Sequence, residues 1–236
     1  MNTAQERGLR EGVAIEIGVF EKARPLVNPE IDLVWAFSGP GTAFEPWSAG
    51  DPEWMAWRDL ERIMRAVVLV CKITASRLKI PVTLVGREQV ELEGPILLYN
   101  GVEDKSENGD FVTWTLYPRF PIPESKIMVV REARDEEGKI WSIENTRDQV
   151  ISVQGNPMWD SVREVALVSH AAHLPRILRY LDLIRPIPGN VKIRCFPVPN
   201  HDSLAQDTIN ETEAIIRYLN TGHLSAHPYP ANLGLT

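Results

Sequence analysis

The sequence predicts an α/β fold: a doubly wound, mostly parallel sheet of about five strands with helices on both faces. Three observations lead there. Short apolar runs recur along the chain with helical stretches between them, the rhythm of parallel strands joined by crossovers. The runs are compact rather than strictly alternating, as in strands covered on both faces. Several of them end in small or polar turns, which right-handed crossovers would gather at one rim of the sheet.

Each element has its own justification. Val13 to Phe20 mixes alternation with helical spacing and stays open between strand and helix; Pro25 and Pro29 end it. Residues 1–30 are therefore expected as an N-terminal extension packing on the core of an α/β domain at 31–222. Ile31 to Ser38 is a strand feeding the Gly-rich turn Gly39-Pro-Gly41. Residues 42–53 form a loop, either a lid beside a pocket or plain connection. From Glu53 to Arg77 the spacing is helical: Leu60, Ile63, Met64, Val67, Val68 and Cys71 share a stripe. Arg58, Arg62 and Arg65 lie on the other side, as a solvated face or with one turned toward an anion.

Pro81 to Val85 and Gln89 to Leu92 read as a small hairpin joined through Gly86. Gly94 to Gly101 holds a second buried strand, and Lys126 to Val130 a third. Phe111 to Tyr117 is ambiguous between strand and helix. Thr146 and Gln149 have capping-box spacing, so a helix is expected to begin there and to stop at Gly155-Asn-Pro157. Val165 to Val168 is the fourth strand. The helix after it carries Leu174, Ile177, Leu178, Leu181 and Ile184 on one face, with Pro175 in its first turn. Val191 to Phe196 is the fifth strand, Thr208 to Leu219 a closing helix, and 223–236 an extended tail.

Composition limits the function. A net charge of −7 argues against general affinity for nucleic acid or an anionic membrane. The two cysteines, Cys71 and Cys195, lack CxxC spacing, so neither a disulfide framework nor a structural zinc site is expected. The N-terminus carries no signal-peptide pattern, and no apolar run approaches a membrane span. Cytoplasmic residence is the expectation. No Walker pattern, GxGxxG or HExxH is present, and no metal is expected.

The rim is the place to look for chemistry. Helix N-termini there offer free N–H groups and a positive dipole end. Arg176 stands one turn inside the helix that follows Ser169, with His173 three residues before it on nearly the same face. Together they suit a phosphate or carboxylate. A Ser169–His173–Asp148 triad can be drawn, but Ser169 is in no GxSxG elbow. His170 is a secondary candidate.

Four places resemble a known family, the domain of unknown function typified by the bacterial SanA, ElyC and YdcF proteins. They are Ala36-Phe-Ser-Gly-Pro-Gly41, Tyr99-Asn-Gly101, Asn145-Thr-Arg-Asp-Gln149 and Val168-Ser-His-Ala-Ala-His-Leu-Pro-Arg176. The likeness covers about Ile31 to Pro199. It departs at Asp148 and Gln149, where the family favours Glu and Asn, and at Asn100, which stands in place of a Ser. With no anchor read in the sequence, the soluble YdcF-like branch is the nearer likeness. The resemblance implies a Rossmann-like domain with a polar pocket, and S-adenosylmethionine among its ligands.

The leading expectation is thus a protein that binds a nucleotide-like or phosphorylated small molecule. Ser38, Gly39, Gly41, Asn100, Gly101 and Ser169 would line the pocket, with Arg62 reaching in. Asn145, Thr146 and Asp148 would hold hydroxyl or amino groups, and His173 and Arg176 would face the anion. One alternative is an enzyme on a phosphate ester or anhydride, with His173 as acid or base and Arg176 as clamp. Another is an interaction protein docking through Trp47, Trp54 and Trp57, which otherwise pack on the core. Oligomeric state is not legible.

Overall fold

The computed structural model of the chain describes residues 3–37, 53–100, 120–135, 137–199 and 204–232. Five parallel strands form one sheet: β1 (Leu33–Ala36), β2 (Ile96–Tyr99), β3 (Ile127–Val129), β6 (Glu164–His170) and β7 (Lys192–Val198), in the order β3-β2-β1-β6-β7. The fold is the expected doubly wound, Rossmann-like α/β arrangement. Two further strands, β4 (Glu132–Arg134) and β5 (Ile140–Ser142), form a separate antiparallel hairpin.

β1 sits at the centre, pairing Leu33 to Ala36 with Ile96 to Tyr99 on one side and with Val165 to Val168 on the other. Its side chains are buried throughout, which explains an apolar run without polar alternation. The pleat still separates them. Leu33, Trp35, Leu98, Val165, Leu167, Ile193 and Cys195 enter one core, while Val34, Ala36, Leu97, Tyr99, Ala166, Val168 and Phe196 enter the other. The first core is closed by α1 (Thr3–Lys22), α5 (Leu174–Ile184) and α6 (Leu204–Asn220) through Val13, Ile17, Ile177, Leu181 and Ile215. The second is closed by α2 (Glu53–Leu78) and α3 (Arg87–Glu93) through Ile63, Val67, Val70, Ile73 and Val90. Crossovers of one hand running outward from β1 in opposite directions require this split.

The open segment at 13–20 is helix: it belongs to α1, whose Val13, Ile17 and Phe20 face the core. Glu16 of this helix holds the buried Arg179 of α5 through two hydrogen bonds at 2.8 and 2.9 Å. The expected hairpin at 81–92 is absent. Val82–Leu84 is a single 3-10 turn, and Arg87–Glu93 is α3. The apparent alternation of Val90 and Leu92 came from a short helix with one buried position: Val90 is buried and Leu92 exposed. The Gln89 side chain accepts from Gly86 N–H at 2.9 Å, closing the first turn. At the other end a Cβ on Gly94 would lie 2.6 Å from the carbonyl oxygen of Val90, so the chain can leave the helix there only as glycine.

The helix near 146 is α4 (Thr146–Ile151), but its cap lies one residue earlier than expected. Asn145 is the N-cap; its Oδ1 accepts from Asp148 N–H at 3.1 Å. The Asp148 Oδ2 accepts in return from Asn145 Nδ2 at 2.7 Å and Glu144 N–H at 3.1 Å. Asn is a stronger cap than Thr, and Asp148 reaches back where Gln149 was expected to. Thr146 is thereby released for another contact. Gly155 takes a left-handed turn, φ 65°, soon after α4 ends.

Beyond residue 222 the chain passes along α5, where Tyr229 N–H donates to Leu178 O at 3.0 Å, and meets the outer side of β7 at Asn232. Asn232 N–H donates to Ile193 O at 2.8 Å, and Cys195 N–H donates to Asn232 O at 3.2 Å. The tail covers an edge that would otherwise present unpaired backbone groups. Among the described residues no helix is long and apolar enough to cross a membrane.

Candidate functional site

The sheet order places the topological switch between β1 and β6, since the chain leaves these neighbours in opposite directions. Folds of this kind hold ligands outside the carboxyl ends of strands at such a point, so the edge of β1 and β6 is the candidate crevice. β6 ends in Ser169 and His170; the turn Ala171-Ala172 leads to His173 and α5. The β6 end is fixed by its neighbours, with Phe37 N–H donating to Val168 O and Ala171 N–H to Val198 O, both at 3.0 Å.

His173 is the hub of the described part of this edge. It is 1% exposed. Its Nδ1 lies 3.1 Å from Ser169 Oγ and its Nε2 lies 3.0 Å from Thr146 Oγ1. A neutral imidazole has one donor and one acceptor, and a hydroxyl serves either, so the chain Ser169–His173–Thr146 is satisfied without a charge. Burial drives the proton off first, and Arg176, Arg62 and His170 add to it, holding His173 well below its ordinary value of 6.5.

Arg176 is buried as well and meets Glu211 of α6. Its Nη2 donates to Oε1 at 3.1 Å, and Nε lies 2.7 Å from Oε2. Burial opposes the guanidinium charge, but Glu211 more than offsets it and raises the pKa above the ordinary arginine value. The anion facing Arg176 is thus an internal carboxylate. Sequence reasoning missed Glu211 because it lies 35 residues away with no local pattern linking the two.

Arg62 comes from α2 on the opposite face of the sheet and is 2% exposed. Its Nη1 donates to Phe37 O, just past β1, at 3.4 Å. Of the three arginines read as the polar side of this helix, Arg62 turns toward the crevice. His170, also buried, has its Nε2 4.0 Å from Oε2 of Glu61, the residue preceding Arg62.

Asn100 does a different job. Its Oδ1 accepts from Trp35 Nε1 at 2.8 Å, and its Nδ2 donates to Gln149 O at 2.6 Å and Ser152 Oγ at 3.0 Å. It ties β2, β1 and α4 together. Asp148 and Asn145 are engaged with each other in the cap described above. The position a carboxylate would hold in a Ser–His–Asp triad is taken by the Thr146 hydroxyl, so Ser169, His173 and Asp148 do not assemble as one.

Among the described residues no cluster of His, Cys, Asp and Glu is arranged to hold a metal ion. Cys195 is buried and pushed up to about 12, which suits packing rather than nucleophilic chemistry. Ser38, Gly39, Gly41, Gly101 and Trp47 lie outside the described residues, as do the segment 111–117 and the side chains of Trp54 and Trp57.

No protein-family model, curated protein or solved structure matches the chain. The site's own geometry therefore carries the functional reading.

Proposed function

We propose that the protein binds a small molecule bearing an anionic group, nucleotide-like or phosphorylated, in the crevice between the carboxyl ends of β1 and β6. One observation carries this reading. Buried Arg62 from one face of the sheet and the His173 turn that opens α5 from the other converge on the switch point of a doubly wound sheet. A helix N-terminus and a guanidinium are both complementary to an anion. Neutral His173 fits the same role, because it adds a fixed dipole without repelling its neighbours.

The geometry revises the division of labour. Arg176 is committed to Glu211, and the place of Arg62 beside Phe37 O, just past β1, assigns it to the ligand. Both nitrogens of His173 are engaged and its ring is buried, which favours a positioning role over acid–base exchange with a phosphate ester. S-adenosylmethionine, implied by the YdcF-like resemblance, is one member of the test panel.

Thermal-shift measurements with S-adenosylmethionine, nucleotides and sugar phosphates check the proposal. At least one compound is expected to raise the melting temperature of the wild type. Arg62→Gln should abolish the shift and Arg62→Lys should keep part of it. A panel with no active member, or a shift unchanged in Arg62→Gln, would sink the reading.

A further inference from the structure

A second concavity lies away from the sheet edge. It is an open groove of about 630 Å³ between the β4–β5 hairpin, α4 and the end of α5. That volume falls within the range of small-molecule sites. Trp141, Ile151 and Ile184 supply its apolar surface. All three also pack in a small core with Ala133 and Ile143, so this wall is anchored. Lys139, Arg147 and Gln154 supply the polar surface.

The charges give the groove its character. Lys139 and Arg147 are exposed, and neither makes an ion pair with any described residue. Among the described residues of the lining the carboxylate is Asp135, and it is turned to the hairpin loop: its Oδ1 accepts from Glu137 N–H at 3.1 Å and Lys139 N–H at 2.8 Å. Two exposed cations with no ion pair among the described residues, beside an aromatic and two isoleucines, stand out on a chain whose net charge is −7. An aromatic wall recognises a flat apolar body, and the cations recognise an anionic substituent on it.

We infer that this groove is a second ligand site, for an aromatic monoanion such as an arene carboxylate. It is separate from the crevice at the sheet edge, though both touch α4. Thr146 is buried against His173, while the next residue, Arg147, is exposed on the groove. The inference does not depend on the reading of the crevice.

Titration calorimetry with 2-naphthoate tests it, with neutral 2-naphthalenemethanol as the control. Saturable binding of the carboxylate is expected, with the alcohol at least fivefold weaker. Losing one exposed charge contact of about 1 kcal/mol corresponds to about fivefold, so Arg147→Gln should weaken 2-naphthoate by that factor. Trp141→Ala should weaken it further, with Trp141→Phe recovering most of the loss. Arg147 is exposed and makes no ion pair with any described residue, so its substitution is expected to leave the fold intact and to isolate recognition. Three results each overturn the inference: no saturable binding of 2-naphthoate, binding unchanged in both Arg147→Gln and Trp141→Ala, or binding that Arg62→Gln removes.

Discussion

At the scale of single residues, His173 shows how burial decides chemistry. The unfolded chain accepts a proton on this imidazole near pH 6.5, whereas the folded protein resists it, first because a buried charge loses its solvation and then because it would sit among Arg176, Arg62 and His170. Below that pH the unfolded state binds more protons, so the stability linked to His173 is complete above pH 6.5 and falls as the pH drops. The slope approaches about 1.4 kcal/mol per pH unit for one proton, until the folded imidazole itself protonates. Denaturant melts of wild type and His173→Gln between pH 7.5 and 5 should therefore converge as the pH falls. A constant gap would remove this account. Arg176 and Glu211 give a second residue-scale expectation. Arg176→Met alone should destabilise by about 3–5 kcal/mol by stranding a buried carboxylate, while Arg176→Met with Glu211→Leu should recover most of that loss. Chemical denaturation of the two singles and the double measures it. Arg176 and His173 were both visible as candidates in the sequence. Thr146 was a candidate too, but its pairing with His173 was not legible, nor was Glu211 at all: they reach their partners across 27 and 35 residues, and no spacing rule links residues so far apart.

At the scale of elements, the amphipathic helices after α1 and the buried strands were legible because their periodicity is set by which face is covered. The failures share one cause. α3 and the β4–β5 hairpin have few buried positions, so their sequences carry almost no periodic signal: α3 buries only Val90, and the hairpin fully buries only Ala133. Element ends follow local backbone energetics. α5 stops at Arg185, which adopts a left-handed conformation, φ 51°, and donates its N–H to Leu181 O at 2.9 Å. A side chain with a Cβ is disfavoured there by about 1 kcal/mol relative to glycine. Arg185→Gly should thus stabilise the protein by about 0.5–1 kcal/mol, read as a higher denaturation midpoint at unchanged slope. The Arg185 Nη2–Asp182 approach of 3.8 Å is exposed and contributes little in the other direction. A lower midpoint would contradict this account of the cap.

At the scale of the whole molecule, the crevice and the groove are separable by their ligands. Arg62→Gln is expected to affect only the anion at the sheet edge, and Arg147→Gln only the aromatic anion in the groove. The architecture sets both places. Opposite crossovers from β1 create the switch point, while the hairpin inserted between β3 and α4 creates the groove. α5 is held between α1 and α6 by a half-buried pair, Arg179 with Glu16, and a buried one, Arg176 with Glu211. These pairs fix where His173 sits, and through Thr146 they reach α4.

By itself the sequence determined the fold class, the five parallel strands, the main helices other than α1 and the rim on which the polar candidates stand. Those properties follow from local periodicity and from the handedness of crossovers. The tertiary structure alone decided which candidates are committed to one another. It gave Arg176 a carboxylate, turned Asn100 into a tie between strands, and locked His173 between two hydroxyls. It brought Arg62 to the crevice from the far face. Hydrogen bonds and ion pairs act over a few ångströms in space and are blind to separation along the chain, so only the folded arrangement reveals them.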